Sequence, residues 1–345
     1  MKSRIRMSDI AGELGVSTVT VSKALSGKDG VRDNLRKSIR QKAEDLGYVY
    51  NSLPIHMRRG CNYNIGILIG AKYLGETAFY WRFYLTLLDE FKKTNFLGIL
   101  EIVTSEDEAN CAIPAFVETH KVDGLIILGQ LSDSYLKMVT VKCPRCVFLD
   151  FYSDVGGCDC VALNNFLGSY NLTKLLVAAG HKKIAFIGST ASTTSILDRY
   201  MGFCKAMLEV ALPYEAAIED RDIRGYNIEI DLALGTHTAY VCNNDQLAGN
   251  VIRQIRRKGL NIPEDISIVG FDNDSESVTG GIGVTSLEVN IRTMCDRAVT
   301  LLIRHIENMD YVPRGRLFID GLVVEKDSIA APRFLELEDF SKEGK

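Results

Sequence analysis

The first part of the chain places apolar residues at helical spacing on either side of a glycine. The apolar positions are Ile10, Leu14, Val21 and Leu25. This spacing gives each of two short helices one apolar stripe, and Ala11 is small enough to let them cross closely. Gly15 accepts the positive φ that an abrupt turn often needs, and the Ser17 hydroxyl can cap the second helix. The pattern predicts two helices around a tight turn within residues 7–27.

A third amphipathic segment follows at residues 31–46. Its apolar face consists of Leu35, Ile39, Ala43 and Leu46. Three helices can therefore close a small core. Residues 1–60 contain 12 Lys and Arg against 6 Asp and Glu, a net charge of +6, whereas the whole chain is at −4 and the remainder at −10. An ordinary helical hairpin would share the bare apolar pattern, but a basic end on an acidic chain favours a head that binds phosphates.

The exposed face of the second helix carries short side chains and one cation. These residues are Thr18, Val19, Thr20, Ser22 and Lys23. Hydroxyl and methyl groups suit a helix in the major groove, where they can reach base edges, thymine methyls and phosphates. Val19 could instead pack into the core, although Val21 already faces inward.

Short apolar runs alternate with amphipathic stretches from Cys61 onward. The runs lie at 65–70, 99–103, 124–128, 146–150, 183–188, 239–242 and 266–270. Such runs are typical of buried parallel strands, and their alternation with helices indicates βαβ units whose ligands bind at the carboxyl ends of the strands. Seven strands are many for one small sheet, and residues 158–165 look like a crossing into a second lobe. We therefore expect a two-lobed α/β body with a cleft between the lobes.

Length and composition agree with a small head and two further domains. The chain has 345 residues, of which 46% are apolar. No segment approaches a membrane span, and the charged N-terminus lacks the apolar stretch of a secretory signal, so we expect a cytosolic protein without a membrane partner. The nine cysteines are odd in number and irregularly spaced, which fits reduced thiols better than a disulfide framework.

Eight motifs, taken in order and spacing, point to one family. They are MSDIAGELGVSTVTVSKALSG at 7–27, LGYVYN at 46–51, VDGLIIL at 122–128, NNFLG at 164–168, AAGHKKIAFIG at 178–188, DRYMGF at 198–203, CNNDQLA at 242–248 and IPEDISIVGFDN at 262–273. With these motifs the chain resembles the lactose/galactose repressor family of bacterial transcription regulators over essentially its whole length. The resemblance implies a homodimer that binds double-stranded operator DNA of two-fold symmetry and senses a small molecule, usually a sugar or related metabolite.

The resemblance also implies the domain organisation. It predicts an all-α helix-turn-helix head and an α/β body of two Rossmann-like lobes, similar to type I periplasmic binding proteins. The expected boundaries are 1–50 for the head, 51–60 for the hinge, 61–161 with 291–321 for the N-terminal lobe, and 162–290 with 322–345 for the C-terminal lobe. We expect a repressor of sugar-utilisation genes that is not an enzyme and needs no cofactor. Two alternatives remain, a global regulator that answers to a phosphocarrier protein and a solute-binding protein, although the latter would not need a basic head.

The resemblance assigns DNA contacts to the second helix. It implies that Thr18, Val19 and Lys23 read bases, and that Ser17 and Thr20 lie nearer the DNA backbone. Because Thr18 and Val19 are short, we expect them to contact methyls and to make single hydrogen bonds rather than bidentate ones.

Arg32 departs from the family, which usually has a Ser or Thr cap at this position. A cation opposes the dipole at a helix N-terminus, at a cost of roughly 0.3–1 kcal/mol. Either Arg32 contacts an operator phosphate, which would reverse the sign of the effect, or the cap has moved to Asp33.

Residues 51–59 stand where the family has a hinge helix that folds in the minor groove. Asn51 opens the segment and is included in the expected DNA interface, and Met57 takes the place of the side chain that wedges between base pairs. Pro54 is unusual there, because proline is tolerated in a first helical turn but not further in. A plain linker remains the alternative.

The resemblance places the effector between the two lobes. Phe79, Tyr80 and Trp81 follow the first body strand, where the family has aromatic residues that stack on the ligand, although Trp81 could simply be a core residue. Arg199 and Asp245 match the family's ligand-binding arginine and aspartate, whose paired donors and acceptors suit vicinal hydroxyls. The remaining expected effector contact is Asn164, which replaces an aspartate common in its motif.

Three other signals are weaker. Cys143 and Cys146 form a CxxC, with Cys158 and Cys160 nearby, and these four thiols are core or surface residues, a zinc site or a redox switch. The glycine cluster at 280–283 lacks the strand and helix of a dinucleotide-binding motif. His181 follows Gly180, where we expect a capping role. No catalytic acid, base or nucleophile set can be assembled.

Overall fold

The computed structural model describes residues 5–25, 29–46, 48, 61–74, 78–222, 228, 230, 232, 235–274, 281–308 and 310–333. The chain divides into two compact units, Met1–Cys61 and Asn62–Lys345. The expected hinge at 51–60, with Asn51, Pro54 and Met57, lies outside the described residues.

The first unit is the predicted three-helix head. Its helices are α1 (Met7–Leu14), α2 (Thr18–Leu25) and α3 (Asp33–Asp45). Its core consists of Ile10, Ala11, Val21, Ala24, Ile39 and Ala43. Gly15 has a φ of 60°, and the Ser17 hydroxyl accepts a hydrogen bond from the Thr20 N–H at 3.1 Å. The predicted turn and cap are therefore both present.

The third helix begins later than predicted, at Asp33. Arg32 is its N-cap residue, has an extended backbone and makes no side-chain cap hydrogen bond. The cap has not moved to Asp33, which is instead the first helical residue. Its carboxylate lies in the first turn, where a negative charge interacts favourably with the positive end of the helix dipole.

The second unit contains a first, six-stranded sheet with the order β10-β5-β4-β3-β1-β2. The strands are β1 (Asn64–Gly70), β2 (Leu97–Val103), β3 (Gly124–Leu128), β4 (Cys146–Leu149), β5 (Asp159–Leu163) and β10 (Arg316–Ile319), all parallel to their neighbours. The helices between these strands are α4 (Phe79–Phe91), α5 (Ser105–Ala109), α6 (Ala115–Glu118) and α7 (Asp133–Lys142).

A second, five-stranded sheet has the order β11-β9-β8-β7-β6. Its strands are β6 (Ile184–Ile187), β7 (Ala239–Cys242), β8 (Ser267–Phe271), β9 (Thr285–Glu288) and the antiparallel edge strand β11 (Leu322–Val324). The remaining helices are α8 (Asn165–Ala178), α9 (Thr194–Glu209), α10 (Asp245–Arg257) and α11 (Ile291–Glu307). We call each sheet, with the loops at the ends of its strands, the first and the second lobe.

All seven predicted strands are present, but four further strands were missed. Residues 158–165 are a crossing only in part, because 159–163 form β5 of the first sheet and the crossing itself is made by α8. The other missed strands, β9, β10 and β11, have three or four residues, and β10 and β11 are largely exposed. Short strands that are not buried on both faces lack the continuous apolar run that identified the others.

His181 has the expected capping role through its backbone, since its N–H donates to the Leu176 carbonyl at 3.1 Å at the end of α8, and its side chain has a second role. Its ring is buried, and its two nitrogens lie 2.9 Å from the Thr238 Oγ1 and 3.0 Å from the Ser267 Oγ. The ring therefore ties the loop after α8 to β8 and to the residue before β7. Within the described ranges, no helix is long and apolar enough to cross a membrane.

Candidate functional site

The second helix of the head presents the face expected to read DNA. Thr18, Val19 and Lys23 are exposed, and the side chain of Val19 is 62% accessible, so Val19 is not a core residue. Ser22 is half-buried, and the Thr20 hydroxyl lies 2.9 Å from that of Ser17. The outer face is thus small, mixed polar and apolar, and free of bulky side chains.

The body contains a cleft of about 400 Å³ where the carboxyl ends of the two sets of parallel strands meet. Its walls carry polar and aromatic side chains from both lobes. The first lobe contributes Lys72, Tyr73, Phe79, Tyr80, Gln130, Asp150 and Phe151, and the second lobe contributes Thr193, Ser195, Arg199, Arg221, Asn243, Asn244, Asp245, Gln246, Asp272 and Asp274. This is the position that the strand pattern predicts for a ligand.

Arg199 lies in the cleft wall on α9 and is held rigidly. Its Nε donates to the Asn165 Oδ1 at 2.7 Å, and its Nη1 donates to the Asn243 backbone carbonyl at 2.6 Å. The guanidinium also stacks 4.1 Å from the centre of the Phe271 ring. These contacts leave Nη2 as the nitrogen that faces Asp272.

Asp272 follows β8 and presents an unsatisfied oxygen. The residue is 8% exposed, and its Oδ1 has no hydrogen-bond partner among the described residues. The Arg199 Nη2 lies 3.9 Å from this oxygen, beyond direct hydrogen-bond distance. Burial raises the pKa of Asp272, and the Arg199 charge opposes that rise.

Asp245, the first residue of α10, faces the cleft but already has two donors. Its Oδ1 accepts from the Ser286 hydroxyl at 2.8 Å, and its Oδ2 accepts from the Asp274 N–H at 2.8 Å. Gly270 makes room for the carboxylate, because a Cβ there would lie 2.1 Å from Oδ1. Burial, followed by the charge of Asp272, raises the pKa of Asp245 to about 7.

Asp150 stands at the end of β4 on the opposite wall. Its Oδ2 accepts a hydrogen bond from the Tyr80 hydroxyl at 3.0 Å, and its backbone has a φ of 72°. Burial raises the pKa of Asp150 to about 7, although the Arg199 charge and the Tyr80 hydrogen bond both lower it. The cleft therefore contains two carboxyl groups, those of Asp245 and Asp150, whose pKa values are about 7.

Two of the expected aromatic residues line the cleft and the third does not. Phe79 and Tyr80 form part of its wall, whereas Trp81 is 39% exposed and packs edge-on against Tyr84. Successive helical residues point about 100° apart, so α4 cannot turn three consecutive side chains to one side. Trp81 is therefore neither a ligand contact in this cleft nor a core residue.

Asn164 also lies outside the cleft lining. Its Oδ1 accepts from the Leu167 N–H at 3.2 Å, which caps α8, and its Nδ2 donates to the Asp320 carboxylate at 2.8 Å. Asn164 therefore stabilises the connection between the lobes and has no place in the cleft wall.

Several cleft residues were not identified from the sequence. Asp150 and Asp272 directly follow apolar runs, so the rule that ligands bind at strand ends could have found them. Lys72 and Gln130 also come two residues after a predicted run and could have been found by the same rule, whereas Arg221 follows no predicted strand.

The four clustered cysteines lie at the amino ends of β4 and β5. Cys146, Cys158 and Cys160 are buried in the first lobe's core, and Cys143 packs partly against it. All nine cysteines are free thiols, and no group of three His, Cys, Asp or Glu in the described ranges is arranged to hold a metal.

Comparison with known proteins agrees with this architecture. Residues 6–51 match the model of bacterial regulatory proteins of the lacI family, and residues 173–329 match a periplasmic binding protein-like domain. The chain is 28% identical to the HTH-type transcriptional repressor PurR of Pasteurella multocida, over 86% of this chain and 91% of that protein. It is 25% identical to the HTH-type transcriptional regulator RegA of Clostridium saccharobutylicum, over 93% and 98% of the two chains.

Solved structures show the same fold. A lac repressor dimer bound to operator and an anti-inducer superposes with a TM-score of 0.75 at 22% identity, covering 95% of this chain and all of that one. A complex of the regulator CelR with cellobiose has a TM-score of 0.67 at 20% identity and covers 94% of this chain and all of that one. With a helix-turn-helix head, a two-lobed binding body and relatives that are transcriptional regulators, the chain belongs to the lacI family of bacterial regulatory proteins.

Proposed function

We propose that this protein is a repressor that binds a two-fold operator in the cytosol as a homodimer. Its operator affinity falls or rises when a sugar or sugar derivative occupies the cleft. The observation that carries the effector class is the pair formed by the Arg199 Nη2 and the Asp272 Oδ1. The two atoms are 3.9 Å apart, and the oxygen is buried without a partner among the described residues.

A hydroxyl group satisfies both members of this pair. It accepts from the arginine through a lone pair and donates its proton to the carboxylate, whereas an ammonium group can only donate. A buried acceptor without a donor costs roughly 1–3 kcal/mol, which a bound hydroxyl recovers. Phe79 and Tyr80 add the apolar ring faces on which the C–H side of a sugar packs.

Related regulators support this choice of ligand. The solved complexes similar in fold include CelR with cellobiose and a regulator from Enterococcus faecium with bound ribose. Repression is favoured because the PurR relative is named a repressor.

The head and the outer surface support the remaining parts of the proposal. The exposed face of α2 carries the small side chains Thr18 and Val19 with the cation Lys23, as a major-groove helix requires. On the body, α4 exposes Trp81 and Leu85, the latter at 59%, and a second copy would cover such apolar surface.

The test combines ligand screening with operator binding. An operator is selected from random DNA with the purified protein, and its affinity is measured by fluorescence anisotropy with and without each sugar that raises the melting temperature. A ligand at 100 times its Kd adds about 2.7 kcal/mol of stability, which is readily seen. We expect Asp272→Asn to abolish the sugar-induced shift while operator affinity persists. Normal sugar binding by Asp272→Asn would refute the proposed pocket.

A further inference from the structure

The backbone of a cationic residue, Arg221, is fixed at the rim of the cleft on the side of the second lobe. The stretch before Arg221 runs beside β6, since the Ile218 N–H donates to the Phe186 carbonyl and the Gly188 N–H donates to the Ile218 carbonyl, both at 2.9 Å. The Arg221 N–H then donates to the Ser189 hydroxyl at 2.8 Å, and that hydroxyl donates to the Arg221 carbonyl at 3.3 Å. The backbone of Arg221 is therefore held at the carboxyl end of β6, where the cleft opens.

The guanidinium of Arg221 is much less constrained than its backbone. Its Nε contacts the Asp220 Oδ2 at 3.4 Å, which is long for a charged pair, and Asp220 is already engaged through Oδ1 by the Ser189 N–H at 2.7 Å. Within the described part of the chain, neither terminal nitrogen of Arg221 makes a hydrogen bond. The side chain is only 18% exposed and lines the cleft. A guanidinium withdrawn from water in this way gains free energy when an acceptor enters.

The opposite wall supplies a second cation near the same place. Lys72 follows β1, lies 3.7 Å from the Glu108 carboxylate and stands 5.3 Å from the centre of the Tyr73 ring. The positive charge of Arg221 also acts on Tyr73, whose hydroxyl donates to the Gln130 carbonyl at 2.6 Å. Lys72 therefore lies against the Tyr73 ring from the first lobe, and Arg221, from the second lobe, is near enough for its charge to act on the same residue.

We propose that the effector is a sugar derivative with an anionic group, a phosphate or a carboxylate, which the terminal nitrogens of Arg221 bind while the sugar hydroxyls bind between Arg199 and Asp272. This inference rests on the proposed function, because it concerns the same cleft. A planar guanidinium with two parallel donors matches the oxygens of either anion. Lys72 adds a point charge from the other lobe, so that closure of the lobes brings both cations to the anion.

The aspartates of the cleft do not oppose this arrangement. Asp272 faces Arg199, where the sugar hydroxyl binds, and Asp245 already accepts from the Ser286 hydroxyl and the Asp274 N–H. Asp150, whose charge acts on Tyr73, receives the Tyr80 hydroxyl, and its pKa of about 7 leaves it largely protonated in mildly acidic buffer. The anion therefore meets two cations, each of which has one carboxylate at a long distance, Asp220 at 3.4 Å from the Arg221 Nε and Glu108 at 3.7 Å from Lys72, so that the terminal nitrogens of Arg221 remain for the anion.

The experiment compares matched ligands by isothermal titration calorimetry at pH 6.5. Glucose, galactose, mannose and ribose are each compared with their terminal phosphates, the three hexoses also with their uronic acids, and glucose and galactose with their 2-amino derivatives. We expect at least one anionic member to bind about tenfold or more tightly than its neutral parent. Whether the sugar phosphate or the uronic acid binds more tightly distinguishes a phosphate from a carboxylate.

Variants then assign the effect to Arg221. Arg221→Gln should remove the advantage of the anionic ligand and leave the affinity of the neutral parent unchanged, and Arg221→Lys should restore part of it. Arg292→Gln, an exposed change on α11, is the matched control and should behave as the wild type. Arg221→Gln should retain the wild-type melting temperature without ligand within a few degrees, which separates loss of binding from unfolding.

The outcomes distinguish this inference from the proposed function. If a neutral or amino sugar binds best and Arg221→Gln does not change its affinity, the anionic ligand is refuted while a sugar effector stands. If an anionic ligand binds best but keeps its advantage in Arg221→Gln, the role of Arg221 is refuted. If no member of any series binds, the sugar effector and the inference both fail.

Discussion

Replacing Asp150 by asparagine should stabilise the body at neutral and alkaline pH. Asp150 is buried, and its pKa rises from the ordinary 3.8 to about 7, chiefly because burial disfavours the charged form. Asparagine resembles the protonated carboxyl in shape and charge, and it tolerates the positive φ of 72° at this position. The variant therefore removes the cost of ionisation and retains the packing.

The magnitude and the pH window follow from linkage. A pKa raised from 3.8 to about 7 corresponds to about 4 kcal/mol at 1.36 kcal/mol per pKa unit, which is an upper figure because Asp272 titrates in the same cleft. Below pH 3.8 the carboxyl is protonated in both folded and unfolded chains, so variant and wild type differ little. Between pH 3.8 and about 7 the folded wild type holds the extra proton and loses stability as pH rises. Above about 7 the full difference is present.

The assay is urea unfolding of the ligand-free protein at several pH values from 5 to 8.5. The single tryptophan, Trp81, lies on α4 and reports unfolding of the body. The variant should gain up to about 4 kcal/mol over the wild type in the free energy of urea unfolding at pH 8, and the gain should become smaller as the pH falls towards 5. Asp296→Asn, an exposed change on α11, is the control and should leave the pH dependence unchanged. A variant that is less stable than wild type at pH 8 would show that Arg199 keeps Asp150 ionised and would refute the reasoning.

Three further changes, the last with a matched control, test the head, the cleft and the helix packing. Lys23→Ala should weaken operator binding and reduce the slope of log affinity against log salt by roughly one, if Lys23 contacts a phosphate. An unchanged slope in filter-binding titrations would assign Lys23 to bases or to no contact. Asp245→Ala should abolish the effector response but leave operator affinity intact, and a normal response would locate the effector elsewhere. Gly202→Ala should destabilise the body by several kcal/mol in urea unfolding, because its Cβ would lie 2.1 Å from the Phe166 carbonyl oxygen. Gly12→Ala, which meets no atom within 4 Å, should be neutral or stabilise α1 by about 0.5–1 kcal/mol, and equal effects of the two changes would contradict the packing argument.

The strands predicted from the sequence were those buried on both faces. The run at 124–128 is GLIIL, and every residue of it is buried in the structure. By contrast, β5 begins with Asp159, whose carboxylate accepts from the Tyr311 hydroxyl and the Arg314 N–H, both at 2.6 Å. A buried carboxylate whose donors lie 152 and 155 positions further along the chain has no local signature, so its strand was interpreted as a connection.

The cleft was predictable to the extent that it depends on strand ends. Tyr80, Arg199 and Asp245 were expected there and line it. Arg221 was not expected, because its place depends on the hydrogen bonds that hold it beside β6 rather than on any motif. Trp81 was expected and is absent from the lining, since adjacency in sequence does not give a shared face on a helix.

Hydrogen bonds between the start of α9 and the loops after β3 and β4 connect the two lobes, and their free energy indicates how much a ligand must contribute to change the lobe angle. The Thr194 N–H donates to the Gln130 Oε1 at 2.8 Å, the Ser195 hydroxyl donates to the Asp150 carbonyl at 3.2 Å, and the Tyr152 hydroxyl donates to the Asp198 carboxylate at 2.9 Å. Each hydrogen bond contributes about 0.5–1.5 kcal/mol net, so together they are comparable to the 1–3 kcal/mol of a typical coupling free energy. A ligand that adds or removes one or two contacts across the cleft is therefore sufficient to change the balance between lobe angles, and it can do so only through contacts that differ between them.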